Sequence, residues 1–189
     1  ASRATEALAA SAESIIADAR KAAQEIAERA GTVTVELHKP SGETVRIDGA
    51  HRAFPKLAYL VGIRQHCYLW GPPGTGKSHA TRQVAEALGW SYGYVSLNPQ
   101  SPESRIVGYM DATGCYRPTL FRQLYEGGGV YCIDEIDNAS PQLLAALNSA
   151  LANGHGAFPD GMIARHPDFV VVATGNTPGT GASAMFPDR

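Results

Sequence analysis

The amino-acid sequence predicts an α/β fold, a three-layer αβα sandwich in which helices cover both faces of a mostly parallel sheet. Beyond about residue 51, strand-like apolar runs alternate with helical segments. The runs are Cys67–Trp70, Tyr92–Leu97, Gly129–Ile133 and Phe169–Ala173, and helices are predicted over about 53–65 and up to about Leu88. The last two runs are too apolar for half-exposed strands, so we expect them at the centre of the sheet.

The first fifty residues are predicted to form an accessory segment, and residues 51–189 the main domain. Ala1–Arg29 is rich in Ala, Glu, Arg and Lys and has apolar residues at helical spacing, which predicts an amphipathic helix. The segments Thr32–Leu37 and Glu43–Ile47 alternate in polarity around a Pro-Ser-Gly turn. This pattern is typical of a β-hairpin.

Composition and charge exclude several classes of protein. The chain has 189 residues, a net charge of −2 and 44% hydrophobic residues, and no apolar run approaches the roughly 18 residues of a membrane span. The near-neutral charge gives no electrostatic footprint for non-specific nucleic-acid binding. Cys67, Cys115 and Cys132 are odd in number and far apart, so they indicate neither a disulfide framework nor a Cys-x-x-Cys metal site. These features favour a cytoplasmic protein without a membrane partner.

The loop after the first of the four strand-like runs carries the strongest chemical signal. Gly71-Pro-Pro-Gly-Thr-Gly-Lys-Ser78 fits the pattern G-x-x-x-x-G-K-[ST] between a strand and a helix. Such a loop turns its N–H groups inward and forms an anion site with the helix N-terminus, while Lys77 can reach the β- and γ-phosphates and the Ser78 hydroxyl can ligate Mg²⁺. The sequence therefore predicts that ATP and Mg²⁺ bind here. The predicted binding residues are Gly71, Pro72, Pro73, Gly74, Thr75, Gly76, Lys77, Ser78, His79 and Asp134.

Two adjacent carboxylates follow the strand at 129–133. Ligands of parallel sheets bind at the carboxyl ends of the strands, where this strand delivers Asp134 and Glu135. Asp134 is suited to hold Mg²⁺ through water, together with Ser78. Glu135 is placed to polarise an attacking water as a general base.

An asparagine follows the strand at 169–173. The Asn176 amide both donates and accepts hydrogen bonds, so it can bind either the γ-phosphate or the lytic water. On its own, an Asn before a Thr-Pro-Gly segment is ordinary turn chemistry. Because three strand ends converge on one phosphate site, we predict that Lys77, Glu135 and Asn176 form the catalytic set.

These segments together resemble a known family. Residues 71–78, 130–137 and 172–176 resemble Walker A, Walker B and sensor 1 of AAA+ ATPases, which are P-loop NTPases. The segments 108–114, 139–147 and 154–161 are similar to the MoxR-like branch, and within it to the ATPase subunit type of cobaltochelatase. The resemblance covers about residue 51 to the end.

The resemblance implies a sheet in the order 5-1-4-3-2, with ATP bound between the subunits of a homo-oligomeric ring, usually a hexamer. It also implies that hydrolysis remodels a protein partner, and von Willebrand A domain proteins are one class of partner in this branch. The segment around Asp48–Phe54 is expected to contact adenine.

The resemblance also gives roles to two insertions. Asn153–His166 independently predicts a hairpin, and it matches the hairpin that this branch carries before sensor 1. Cys115–Glu126 corresponds to an insert in the second helix. Three nearby side chains are candidates either for a central pore or for ordinary packing: Tyr109, Met110 and Tyr116.

The family's arginine finger and helical lid are not matched in the same way. The chain ends thirteen residues after Asn176, so the lid is expected to be absent. Arg189 either is the finger or precedes it, and Arg165 and Arg117 are weaker candidates. We therefore expect the chain to bind ATP with Mg²⁺ and to turn it over slowly.

Three other functions share part of these motifs. A nucleic-acid motor would show a contiguous Lys/Arg groove, and the net charge gives it no support. A small-molecule kinase shares the phosphate loop, but Glu135 and Asn176 count against it because transfer to a small acceptor needs no water-activating glutamate. A nucleotide-dependent assembly module with little turnover is consistent with the short C-terminus.

Overall fold

The computed structural model describes residues 32–38 and 42–178. The predicted helix at Ala1–Arg29 and the candidate finger Arg189 lie outside these residues. The described elements are, in chain order, β1 (Thr32–His38), β2 (Thr44–His51), α1 (Phe54–Gly62), β3 (Cys67–Trp70), α2 (Lys77–Leu88), β4 (Tyr92–Ser96), α3 (Ser104–Val107), β5 (Tyr109–Met110), β6 (Tyr116–Arg117), α4 (Leu120–Gly127), β7 (Gly129–Asp134), a 3₁₀ helix (Ile136–Asn138), α5 (Pro141–Ala152), β8 (His155–Phe158), β9 (Gly161–Ala164) and β10 (Phe169–Gly175).

The central sheet has four described strands in the order β3-β10-β7-β4, and all three pairings are parallel. This confirms the predicted α/β fold, and the four strands follow the 1-4-3-2 part of the implied order. A fifth strand of that order is not among the described residues. β7 and β10 occupy the centre of the described sheet and their residues are almost all buried, as their apolar sequences predict.

Helices pack on both faces of the sheet, so the sandwich has three layers. Alternate residues of β10 serve opposite faces: Val170 and Val172 pack with α1 and α2, whereas Val171 and Ala173 pack with α3, α4 and α5. Because each central strand is covered on both sides, its side chains gain burial free energy at every position, at about 25 cal/mol per Å² of apolar surface. This packing on both faces holds β7 and β10 in position, and with them the residues that follow their carboxyl ends.

An aromatic cluster joins α4 to the sheet. The Phe121 ring lies 5.2 Å from Tyr131, 5.4 Å from Phe169 and 5.7 Å from Tyr125, measured between ring centroids. Phe158 of β8 packs 6.3 Å from the same ring. Phe121 thus connects the helix, both central strands and the β8–β9 hairpin.

Arg122 binds the β8–β9 hairpin to α4 by a second kind of contact. Its side chain is buried, and Nη1 donates to both carboxylate oxygens of Asp160 at 2.7 and 3.0 Å. The guanidinium also lies 4.7 Å from the Phe158 ring centroid and 5.4 Å from that of Tyr116. The antiparallel pairing of β8 with β9 confirms the predicted hairpin within 153–166, and the ion pair between Arg122 and Asp160 attaches its turn to the core.

The β1–β2 hairpin is antiparallel and reaches the core at its carboxyl end. Ala50 is fully buried among α1 and α2, and Val35, Leu37 and Ile47 pack at the edge of the same cluster. The expected domain boundary after residue 50 falls inside β2, whose last residues belong to this packing. No helix in the described part of the chain is both long and apolar enough to cross a membrane.

We predict that Phe121→Ala lowers the free energy of unfolding by about 3–5 kcal/mol, because it leaves a cavity beneath four aromatic rings. Urea unfolding measures this difference. Leu120→Ala is the matched control, since Leu120 is 51% exposed and its truncation should cost under about 0.5 kcal/mol. Equal losses in the two variants would contradict the role given to Phe121.

Candidate functional site

Three strand ends and one helix start meet at the carboxyl edge of the sheet. They enclose a cleft of about 220 Å³. Its walls are Pro73, Gly74, Gly76, Lys77, Ser78, His79, Asp134, Glu135, Gly175 and Asn176. The structure therefore brings together most of the binding residues predicted from the sequence, with the three predicted catalytic residues among them. Gly71, Pro72 and Thr75 belong to the loop behind this wall.

The loop between β3 and α2 is shaped by its glycines. Gly74 and Gly76 have φ angles of 76° and 84°, in the left-handed region that disfavours a Cβ. The Thr75 hydroxyl donates to the Pro72 carbonyl at 3.0 Å and tightens the turn. Because Gly76 is the N-cap of α2 and has no side chain, the first N–H groups of the helix are available to an anion in the cleft.

Lys77 is the first residue of α2 and is only 8% exposed. Its Nζ donates to the carbonyl oxygens of Gly71 and Pro72, both at 2.9 Å, and to Asn176 Oδ1 at 3.1 Å. The ammonium group thus makes one bond with each of its three protons. The bond to Asn176 connects two predicted catalytic residues that lie 99 positions apart.

Asp134 ends β7 with both carboxylate oxygens engaged. Oδ1 accepts a hydrogen bond from the Thr174 hydroxyl of β10, and Oδ2 accepts one from the Tyr94 hydroxyl of β4 at 3.2 Å. Burial and then the Asp134 charge raise the pKa of Tyr94, which keeps this hydroxyl protonated as a donor. Neighbouring strands on both sides therefore fix the orientation of the Asp134 carboxylate.

Glu135 has a φ of 55°, one of two positive φ values among the described non-glycine residues. The left-handed region is costly for such a residue, and strain of this kind persists where the surrounding structure imposes it. Glu135 lies between the end of β7 and the start of the 3₁₀ helix, where the chain turns out of the sheet. Its side chain consequently belongs to the cleft wall rather than to a face of the sheet.

Asn176 follows β10 and is held by its main chain. Its N–H donates to Asp137 Oδ2 at 2.9 Å, and the Thr177 hydroxyl is 3.4 Å from the same oxygen. The Tyr68 hydroxyl of β3 donates to the Thr177 carbonyl at 2.5 Å. Sequence reasoning missed Asp137 and Tyr68 as site residues, although Asp137 lies only two positions after Glu135 in the matched motif.

The donor set of the cleft fits Mg²⁺. Ser78 supplies a hydroxyl and Asp134 a carboxylate on the same cleft wall, and hard oxygen ligands of this kind are those that Mg²⁺ prefers. Thr174 and Tyr94 already occupy one lone pair on each Asp134 oxygen, which suits contact through a water rather than a bidentate cage. Ser78 and Asp134 therefore stay the predicted metal residues.

Other predicted residues lie away from the cleft or at its rim. His51 belongs to the segment expected near adenine, and its Cδ2 lies about 4.0 Å from the point that a Cβ on Gly76 would occupy. Burial, followed by the charges of Arg52 and Lys77, lowers the pKa of His51. Arg165 donates to the Leu151 carbonyl and contacts His66, which precedes β3 at the opposite edge of the sheet. Arg117 is exposed and pairs with Asp111 at 2.7 Å.

Residues 66–188 match the family described as the AAA domain (dynein-related subfamily). Lon protease of Flavobacterium johnsoniae is 38% identical over 87 residues, and Lon protease of Mycoplasmopsis agalactiae is 36% identical over 87 residues. Each match covers 44% of this chain, and 11% and 9% of the two Lon proteases.

Two solved structures share the fold. NtrX from Brucella abortus has a TM-score of 0.59 and 14% identity, and covers 92% of this chain and 38% of its own. A protein from Cytophaga hutchinsonii that is assigned as an ATPase has a TM-score of 0.52 and 17% identity, and covers 65% of this chain and 37% of its own. The family match extends over more than half of the chain and includes the phosphate loop, both carboxylates and Asn176, so the chain belongs to the AAA domain family, in its dynein-related subfamily.

Proposed function

We propose that this chain is the ATP-binding and ATP-hydrolysing domain of a MoxR-like AAA+ ring ATPase that remodels a protein partner. The observation that supports it most is the direct bond from Lys77 Nζ to Asn176 Oδ1, at 3.1 Å, in a cleft that also holds Asp134 and Glu135. The family match supports a nucleotide-binding AAA domain. ATP hydrolysis and the remodelling of a partner are the steps that we add as a proposal.

Triphosphate binding in this proposal uses the loop amides and Lys77. The inward N–H groups at the start of α2 carry the positive end of the helix dipole, which stabilises phosphate oxygens. When the β- and γ-phosphates enter, Lys77 exchanges acceptors in the loop and Asn176 for phosphate oxygens. Ser78 and Asp134 would hold Mg²⁺, which when bound would neutralise charge on the phosphates.

Hydrolysis in this proposal depends on Glu135 and Asn176. Glu135 accepts a proton from the attacking water, and the Asn176 amide orients either that water or the γ-phosphate. Both groups line one cleft, as a shared attacking water requires. The phosphates of a bound nucleotide would therefore lie at the carboxyl edge of the sheet, next to both Glu135 and the Asn176 amide.

The ring and the partner are proposed from the family. AAA domain proteins typically assemble into rings, and in this proposal an arginine from the neighbouring subunit completes the site. Among the described candidates, Arg165 is bound within its own fold, whereas the exposed Arg117 is paired only with Asp111. The chain spans about a tenth of the Lon proteases that it matches. In this proposal the whole ring protein, of which this chain is one domain, remodels a protein partner, including one with a von Willebrand A domain.

The cobaltochelatase-type assignment is supported by the β8–β9 hairpin before β10 and by the ordered loop at 108–114. In that loop Asp111 Oδ1 accepts bonds from the N–H groups of Thr113 and Cys115, at 2.9 Å each. The Tyr116 hydroxyl donates to the Val107 carbonyl at 2.6 Å, which favours packing for this residue. Tyr109 and Met110 are 55% and 46% exposed, and we propose them as the partner-facing side chains.

Lys77→Ala should weaken ATP binding by roughly 100-fold, because at least two charge-assisted hydrogen bonds to phosphate, at about 1.5 kcal/mol each, are lost. Titration calorimetry with ATP and Mg²⁺ measures this change. Lys56→Ala is the matched control, since Lys56 is exposed and lies outside the cleft. Unchanged ATP affinity in the Lys77 variant would overturn the phosphate-site assignment.

Glu135→Gln should leave ATP affinity unchanged and reduce hydrolysis by about 10²–10⁴-fold, since the amide keeps the shape and removes the base. Phosphate release under single-turnover conditions measures hydrolysis, with Glu103→Gln, an exposed glutamate on α3's N-cap, as control. Full turnover in the Glu135 variant would show that another residue activates the water.

The proposed ring assembly is tested by measuring the mass of the Glu135→Gln variant by light scattering in the presence of ATP. A mass of one chain under all conditions would contradict ring assembly.

Asn176→Ala should lower kcat by about 10²-fold and ATP affinity by much less, because the amide is proposed to act on the reacting groups. Hydrolysis rates and calorimetry on the same preparation separate the two effects. If affinity falls and kcat does not, Asn176 serves as a structural partner of Lys77 and has no catalytic role.

A further inference from the structure

The pairing of β7 with β10 stops before the residues that form the cleft. Its last matched pair is Ala173 with Ile133, whereas β10 continues beside β3 as far as Gly175 and Trp70. Glu135, two residues after Ile133, has a left-handed φ of 55°, and the chain then enters the 3₁₀ helix instead of continuing the strand. Asn176 therefore lies beyond the ladder that could have joined it to the strand of the base.

Asp137 makes the connection that the ladder no longer provides. Its Oδ2 accepts the Asn176 N–H at 2.9 Å, with the Thr177 hydroxyl 3.4 Å away. Asp137 lies in the 3₁₀ helix that starts after Glu135, and the bond from Asn138 N to the Glu135 carbonyl, at 2.9 Å, tightens this turn. One side chain thus joins the turn that carries the base to the main chain of the sensing asparagine.

The opposite side of the same segment is held by β3. The Tyr68 hydroxyl donates to the Thr177 carbonyl, and burial followed by the Asp137 charge raises the pKa of Tyr68. A Cβ on Gly175 would lie 2.2 Å from the Tyr68 oxygen, so the segment passes close to this ring. Asp137 and Tyr68 both bind the main chain, whereas Lys77 binds the Asn176 carboxamide, the contact that a phosphate would replace.

The second oxygen of Asp137 is informative. Oδ1 is buried and has no hydrogen-bond partner among the described residues. A buried unpaired carboxylate oxygen costs stability, and such groups in native proteins often accompany function. The negative charge strengthens the bond to the Asn176 N–H, because charge-assisted hydrogen bonds are the stronger kind.

We propose that Asp137 is a positioning residue that fixes Asn176 relative to Glu135 across the cleft. This inference rests on the proposed ATP hydrolysis. When Lys77 leaves the Asn176 amide for a phosphate, Asp137 and Tyr68 keep the main chain of Asn176 in place. The amide then remains within reach of the water that Glu135 activates, without a contribution from Asp137 to the binding of the nucleotide itself.

The test compares Asp137→Ala, Asp137→Asn and a control in the 189-residue chain. Asp137→Ala should lower single-turnover ATP hydrolysis at least about 10-fold, with ADP affinity and the melting temperature close to those of the wild type. Asp137→Asn keeps an acceptor oxygen and should restore hydrolysis to within about threefold. Asp168→Ala removes a carboxylate before the other end of β10, where it pairs with Arg64, and should have wild-type hydrolysis.

Amide hydrogen exchange gives a readout that does not need hydrolysis. The Asn176 N–H should lose protection about 10-fold or more in Asp137→Ala, while the amide of Ala173 within the ladder is unchanged. Unchanged protection or unchanged hydrolysis in Asp137→Ala would overturn the proposal, as would a parallel loss of ADP affinity and melting temperature. Absence of nucleotide binding in the wild type would instead refute the proposed function, and the exchange result would still decide the role of Asp137.

Discussion

A buried ammonium group organises the carboxyl edge of the sheet. Removing a charge from water is costly unless hydrogen bonds replace its hydration, and Lys77 satisfies this requirement with two loop carbonyls and the Asn176 amide. These acceptors come from the loop after β3 and from the end of β10, two strands that are neighbours in the sheet. The position of the lysine thus depends on the strand order, and the lysine in turn holds the carbonyl groups of the loop.

The same edge contains features that stability alone would disfavour. Glu135 has a left-handed backbone, and an Asp137 oxygen is buried without a described partner. Both lie at the end of β7, one of the two most completely buried strands in the described sheet. A core packed on both faces can hold such a strained end in place, because the strand cannot shift to relieve it without losing contacts along its length.

The β5–β6 and β8–β9 hairpins both contact Arg122 of α4. Arg122 is a buried cation that forms ion pairs with Asp160 and Glu126 and lies against the rings of Phe158 and Tyr116. It joins elements that belong to separate parts of the chain, and it does so away from the nucleotide edge. The proposed partner-facing residues Tyr109 and Met110 form β5, which pairs with β6, and the Tyr116 ring of β6 lies against the Arg122 guanidinium. Asp111 closes the turn between the two strands.

The sequence by itself determined the local features: the apolar runs that become buried strands, the glycines of the phosphate loop, and the carboxylates and asparagine that follow β7 and β10. These follow from short-range periodicity and from residue chemistry at strand ends, and they led to the α/β fold and the place of the cleft. The strand order came from family resemblance, since periodicity within a strand does not specify its neighbour.

Only the tertiary structure decided which side chains hold these groups. Thr174 and Tyr94 on Asp134, Asp137 on Asn176, and Tyr68 on Thr177 join residues 39 to 109 positions apart. The left-handed turn at Glu135 likewise depends on where its strand leaves the sheet. Hydrogen bonds of this kind form because packing brings residues that are distant in the chain to one edge of the sheet. The residues next to each partner in the sequence do not indicate which partner it will have.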